Sequence, residues 1–361
     1  MPIIKEIVYR LLALAGLARL ATHLNRHKAV VLAYHDVYAG VLDPVRNDGI
    51  RVRVKRFERQ MRYLAARYDV VPLSELLNGR SGHRGGKPVA AITFDDGYRT
   101  TYACAFPILR RLGLPATVFV ITDFSLHGVA PWWDRLAAML AATQMRAVAI
   151  SMEGTERRFL LDTTKERQEA LRSLAAELKD WPRERREELL TALAADLGIE
   201  ERQLATAEAL TTAELREMSE AGIMVGSHGC SHDSFVHLDG ARLRAELAES
   251  RRVLEGLLGR PVEWLAYPYG DFSRDVIEAA IETGYRGAVT TVEGLNDGIP
   301  DPYTIRRIGI DDNLSLARFI VLVSGVGELL RGALRIRRPA IAFTDPREGA
   351  PAADVRDRRQ V

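Results

Sequence analysis

Short apolar runs alternate with amphipathic stretches along most of this chain. The runs at residues 29–34, 90–94, 116–121, 224–227, 263–267 and 287–291 are each long enough for one strand, and their near-continuous apolar character fits strands covered on both faces. Between them, apolar positions recur at helical spacing over 56–67, 102–112, 212–221, 241–258 and 273–283. Gly113, Gly222, Gly259 and Gly284 each stand just past a helical segment, where a left-handed cap favours glycine. Strands and helices in alternation predict an α/β fold with parallel strands joined by crossover helices, and the repeated punctuation points to a parallel barrel.

The pattern divides the chain into a helix over 1–28, a barrel over 29–335 and a polar tail over 336–361 that is expected to be disordered. The N-terminal helix is amphipathic and basic, and its longest uncharged run, 11–18, is too short to cross a bilayer. It also lacks a small-residue cleavage site, so it is read as a cover for the barrel, with peripheral contact to a membrane surface as the other reading. The apolar stretch 319–326 is again too short to span. Residues 131–210 break the rhythm. Trp132, Trp133 and Asp134 open a helix, a hairpin over 147–161 turns near Glu153 and Gly154, and two charged helices follow, which together predict a mostly helical insertion that shapes access to the barrel.

Composition narrows the function. Fifty basic against 48 acidic residues leave a net charge of +2, too weak a field to gather nucleic acid. Two cysteines, Cys104 and Cys230, are too few for a disulfide framework and fit a reducing compartment.

Three strand ends carry candidate chemistry. Residues 91–98 read Ala-Ile-Thr-Phe-Asp-Asp-Gly-Tyr, which sets Asp95 and Asp96 at the C-terminal end of a strand, the position barrel enzymes use for catalytic groups. His228-Gly-Cys-Ser-His232 offers two imidazoles after the strand at 224–227. Two neutral imidazoles and one carboxylate suit zinc and leave a position open for water. Cys230 between them is read as packing or weakly reactive. In Leu265-Ala-Tyr-Pro-Tyr-Gly270, proline and glycine fix the chain and can aim a backbone N–H at an oxyanion.

In this order the motifs resemble the polysaccharide deacetylase family, carbohydrate esterase family 4. Thr-Phe-Asp-Asp-Gly is the most specific element, His-x-x-x-His the second and Pro-Tyr-Gly the third. Val30-Val-Leu-Ala-Tyr-His-Asp36, Gly284-Tyr-Arg-Gly-Ala-Val-Thr-Thr291 and Arg306-Arg-Ile308 look like its exopolysaccharide-associated branch. The resemblance implies a distorted (β/α) barrel of about seven strands, a divalent metal, usually zinc, and hydrolysis of N-acetyl groups on amino sugars. It makes Asp95 the general base, Asp96, His228 and His232 the metal ligands, and the backbone N–H of Tyr269 an oxyanion donor. Tyr98, Trp133, Tyr267 and Pro268, in or near these motifs, are expected to contact substrate. Two departures stand out. Ala266 replaces the arginine that commonly orients the catalytic aspartate, with Arg307 or Arg306 as substitute, and no histidine follows His237 to serve as general acid. His35, after the first strand, is the substitute acid, with Asp134 and bound water next.

The implied partner is an N-acetylated polysaccharide, oligosaccharide or lipid-linked sugar, and the expected location is the cytoplasm or the inner membrane face. An O-acetyl esterase and a non-catalytic sugar-binding relic of the fold are the alternatives.

Overall fold

The computed structural model describes residues 2–14, 16–46, 50–78, 86–152, 154–200, 202, 204 and 206–333. The tail at 336–361, His83 and Glu153 lie outside them. In chain order the strands are β1 (Lys28–Tyr34), β2 (Asp36–Tyr38), β3 (Arg51–Arg53), β4 (Asp69–Val70), β5 (Val89–Phe94), β6 (Thr117–Val120), β7 (Ala147–Met152), β8 (Thr155–Leu160), β9 (Met224–Ser227), β10 (Trp264–Ala266), β11 (Gly287–Val289), β12 (Asn296–Asp297) and β13 (Ile308–Gly309). The helices are α1 (Pro2–Leu14), α2 (Leu17–Leu24), α3 (Val54–Arg67), α4 (Phe106–Leu112), α5 (Thr122–His127), α6 (Trp132–Ala142), α7 (Thr164–Leu178), α8 (Arg183–Asp196), α9 (Thr212–Glu220), α10 (Gly240–Leu258), α11 (Arg274–Thr283), α12 (Leu316–Ser324) and α13 (Val326–Ala333). The helix expected over 102–112 opens with a π-helical turn, Thr101–Ala105, ahead of α4.

The main sheet runs β11-β10-β9-β6-β5-β1-β12, and every pairing along it is parallel except the last. Crossover helices α3, α4, α10 and α11 join successive parallel strands, as the sequence pattern requires. The segment 305–309 ties the two ends together. Ile305 bridges Val289 on one edge, while Ile308 and Gly309 pair with Leu32 and Ala33 of β1 on the other. The result is the expected distorted parallel barrel.

Alternation along the strands sorts the side chains. Val31, Ala91, Phe119, Trp264, Ala266, Val289 and Ile305 pack inside, whereas Val30, Leu32, Tyr34, Ala90, Ile92 and Phe94 meet the helices. The same period of two, continued past the strand ends, sends His35 and Asp95 toward the interior. Small residues make room beneath them. A Cβ on Gly226 would lie 2.6 Å from the Phe119 ring and 2.9 Å from the carbonyl oxygen of Trp264.

Between β6 and β9, neighbours in the sheet, the chain forms α6, the β7–β8 hairpin, α7 and α8. These pack around an apolar cluster of their own that includes Leu136, Met139, Ile150, Leu174 and Leu193. Thr163 starts α7 with a capping box, its hydroxyl taking the Glu166 N–H while the Glu166 carboxylate takes the Thr163 N–H.

At the other end of the chain order, the single helix expected over 1–28 is two helices. Gly16 parts them at φ 76°, a left-handed conformation that glycine adopts without penalty. Helices α12 and α13 pack against this pair, and the Asn25 amide donates to the carbonyl oxygens of Ser324 and Gly325 at 3.2 Å each. No described helix is long and apolar enough to cross a membrane.

Overpacking at the barrel interior is therefore the sharpest test of the fold. Gly226→Ala should lower unfolding free energy by about 1–3 kcal/mol, because Phe119 and the β10 backbone must both move. Denaturant titration checks it, and an unchanged midpoint would contradict the packing described.

Candidate active site

Asp96, His228 and His232 meet at the mouth of the barrel, and their ligand atoms lie within 4.8 Å of one another. Nε2 of His228 stands 3.5 Å from Asp96 Oδ1, and Nε2 of His232 stands 3.6 Å from the same oxygen. The Nδ1–H of His228 donates to the carbonyl oxygen of Ala266 at 2.8 Å, which leaves the Nε2 lone pair facing the centre. Burial strips hydration from both rings and lowers their pKa values, that of His232 well below the ordinary range. Neutral imidazole is the coordinating form, so two imidazoles and one carboxylate fit a divalent ion with a position open.

The backbone is forced to make this cluster. Among the described residues, Asp96, His232 and Tyr269 are the non-glycine residues with positive φ, at 72°, 62° and 59°. Such conformations persist only where the surroundings over-determine them, and all three occur here. Glu246 of α10 holds the loop between the histidines by accepting from the backbone N–H of Cys230 at 2.6 Å and of Ser231 at 3.3 Å. Burial pushes the Cys230 thiol up to about 12, so it stays protonated and packs.

Asp95 is gripped from the closing segment. Nη1 and Nη2 of Arg307 donate to its two carboxylate oxygens at 2.7 Å each, Nε donates to the carbonyl oxygen of Thr290 at 2.8 Å, and Nη1 also reaches Thr93 Oγ1 at 3.1 Å. Burial alone would raise the Asp95 pKa, but the guanidinium overrides it and holds the carboxyl well below the usual carboxylate range. Strand alternation decides between the two candidate arginines. Arg307 points inward at 1% exposure, while Arg306 turns away and donates to the Glu293 carbonyl oxygen at 3.2 Å. Ala266, fully buried, leaves its side of the barrel without a guanidinium.

His35 Nε2 lies 4.0 Å from Asp95 Oδ2. Burial pulls its pKa down to about 4, with Asp95 pulling the other way, so the ring is neutral at pH 7 and holds no spare proton in the resting state.

The insertion supplies one wall. The Trp133 ring lies 4.5 Å from His232 and the Tyr269 ring 4.6 Å from it, and Trp132 Nε1 donates to the Tyr269 hydroxyl at 3.0 Å. A pocket bordered by Pro131, Trp132, Arg183, Arg186 and His232 opens beside them. Tyr98 and Tyr267, expected to contact substrate, are both 1% exposed. Their hydroxyls donate to Asp134 Oδ2 at 2.8 Å and to the Tyr303 carbonyl oxygen at 3.1 Å, so they brace the walls instead. Pro268 is buried too and fixes the turn that carries Tyr269. Asp134, a reserve candidate for the acid, is spent on Arg51, whose Nη2 donates to it at 2.7 Å while Nη1 donates to Asp36 at 2.7 Å. Sequence reading missed Arg51, Asp36 and Trp132 as parts of the site; the one signal was the Trp-Trp-Asp opening of the insertion.

A parallel barrel with a His-His-Asp donor centre beside an arginine-held carboxylate defines the class, a hydrolase built at strand ends. The chain belongs to the polysaccharide deacetylase family, whose model matches residues 82–177 and 180–288, and it is a deacetylase. YxkH of Bacillus subtilis is 20% identical over 294 residues, 81% of this chain and 75% of that protein. The poly-beta-1,6-N-acetyl-D-glucosamine N-deacetylase of Escherichia coli K12 is 33% identical over 92 residues, 24% of this chain and 13% of that protein. Among solved structures, the Streptococcus pyogenes deacetylase PplD in complex with acetate superposes with a TM-score of 0.56 at 19% identity, covering 82% of this chain and 98% of that one. IcaB from Ammonifex degensii gives 0.50 at 19% identity, covering 82% and 96%.

The depressed histidines make a pH prediction for the metal-free protein. Between pH 6.5 and about 4 the unfolded chain binds protons on His35, His228 and His232 that the folded state refuses. Stability is therefore greatest above pH 6.5 and falls as pH drops through that window. Thermal unfolding in excess chelator checks it. His35→Ala should make the fall shallower, and a midpoint that stays level down to pH 4.5 would contradict neutral rings at the site.

Proposed function

We propose that the protein removes N-acetyl groups from amino sugars of an oligosaccharide or polysaccharide, with a divalent metal, zinc by its donor set, held by Asp96, His228 and His232. The observation that carries this reading is the juxtaposition of that donor set with Asp95, a carboxylate kept ionised and fixed in direction by Arg307. Similarity to a protein named as an N-deacetylase of an N-acetylglucosamine polymer favours the amide over an acetyl ester.

When bound, the metal would polarise the acetamide carbonyl and activate water. The protein's own groups handle the proton. Each Asp95 oxygen accepts one hydrogen bond from Arg307 and keeps a lone pair, so the carboxylate is placed to take a proton from the attacking water. Because Arg307 makes Asp95 a weak base, the proton is held briefly. His35, 4.0 Å away and neutral, receives it and passes it to the departing nitrogen. We assign the backbone N–H of Tyr269, which sits in a left-handed turn, to the developing oxyanion, and Trp133, whose ring packs on His232, to orienting the sugar.

Acetate release from N-acetylglucosamine oligomers, with elemental analysis of the same samples, tests the roles. Asp95→Asn should retain the metal and lose roughly 10²- to 10⁴-fold in rate. His35→Ala should depress amide hydrolysis while sparing an activated aryl acetate, whose leaving group needs no proton. Near wild-type turnover by Asp95→Asn, or loss of metal from His35→Ala, would overturn the assignment.

A further inference from the structure

Five of the thirteen large apolar side chains exposed among the described residues, Ile7, Leu11, Leu17, Leu20 and Leu24, sit on α1 and α2, and two more sit on α12 and α13. On α2 the arrangement is inverted relative to a helix that packs only for stability. Ala18 and Ala21 turn inward at 2% and 1% exposure, while Leu17, Leu20 and Leu24, spaced i, i+3 and i+7, stand 47%, 54% and 50% exposed. A helix needed only to cover the barrel would bury its leucines.

Charge accompanies the leucines. Residues 2–28 hold Lys5, Arg10, Arg19, Arg26 and Lys28 against the single acid Glu6, in a chain whose overall balance is only +2, although Lys28 is paired with Asp297 at 3.4 Å. Glu6 is itself engaged, accepting from Arg10 Nε at 3.1 Å and from the Ser315 hydroxyl at 2.8 Å. Arg19 and His23, both exposed, border the leucine stripe of α2. The sequence that continues from α13 adds Arg335, Arg337 and Arg338 without an acid among them.

We propose that this face docks on an anionic lipid bilayer, with the exposed apolar side chains of α1 and α2 in the acyl boundary and Arg19 and Arg26 among the headgroups. Apolar stripes flanked by cations are the chemistry that such an interface selects. A second copy of the chain fits less well, because two-fold pairing would set the cations of one face against those of the other. Attachment is peripheral, as no described helix can span. Helix α2 leads directly into β1, and His35 follows the far end of that strand, so about 20 Å of strand separates the docked face from the site. A docked enzyme thus keeps its site clear of the headgroups and open to a glycan chain. The inference stands on the surface alone and does not require the proposed reaction.

Sedimentation of the full chain with phosphatidylcholine vesicles, with and without phosphatidylglycerol, tests it. Wild-type protein should pellet with the anionic vesicles and be released by high salt. Leu17→Ser/Leu20→Ser/Leu24→Ser should lower partitioning by at least about 100-fold, and Arg19→Glu/Arg26→Glu by at least roughly tenfold, with circular dichroism and acetate release unchanged. The charge variant carries the test if the serine variant fails to fold. Wild-type protein left in the supernatant, a folded serine variant that binds as well as wild type, or a dimer that this variant turns into a monomer would overturn the proposal.

Discussion

The buried ion pair between Arg307 and Asp95 sets the terms for everything near it. Two charges inside a barrel are expensive to desolvate, and they persist only where geometry and hydrogen bonding are nearly complete. Here both carboxylate oxygens meet a guanidinium nitrogen at 2.7 Å, and two further Arg307 N–H groups find Thr290 and Thr93. Removing one partner would strand the other, at a cost of about 3–5 kcal/mol. The fold must therefore deliver an arginine from the segment that ties β11 to β1, and it must keep the interior small enough around Ala266 and Gly226 for that side chain to reach β5.

With Asp95 fixed, the rest of the centre follows from position along neighbouring strands. Asp96 is its chain neighbour and can face the histidines only by adopting a left-handed backbone, which it does. His228 follows β9 and is oriented by a carbonyl of β10, so two adjacent strands define one ligand. His232 and Tyr269 reach the cluster through strained turns, and the insertion leans on both through Trp133 and Trp132. Access to the site and the rigidity of its ligands thus depend on the same helix, α6.

Local features were legible in the sequence, and features assembled at a distance were not. The six main strands and the pairs Asp95–Asp96 and His228–His232 announce themselves because each motif sits beside an apolar run. Arg307 and Arg306 could not be separated until the pairing of β13 with β1 fixed which one points inward. Strands β2 and β3 are too short to carry any periodicity, so nothing in the sequence joined Arg51 to Asp36 and Asp134, 15 and 83 residues away. Tyr98 and Tyr267 were misread for a related reason. An aromatic next to a motif reveals its neighbourhood but not its direction, and both turn into the walls.

The most direct measurement is kcat/KM on an N-acetylglucosamine oligomer for Arg307→Ala and for Arg307→Ala/Ala266→Arg. Ala266 packs in the same interior cluster as Phe119, and the Arg307 guanidinium lies 6.0 Å from that ring. If the guanidinium serves to orient Asp95, the single variant should lose roughly 10- to 100-fold and the double variant should recover most of it. A folded single variant with wild-type kcat/KM, or a folded, metal-loaded double variant no better than the single, would contradict the role given to this ion pair.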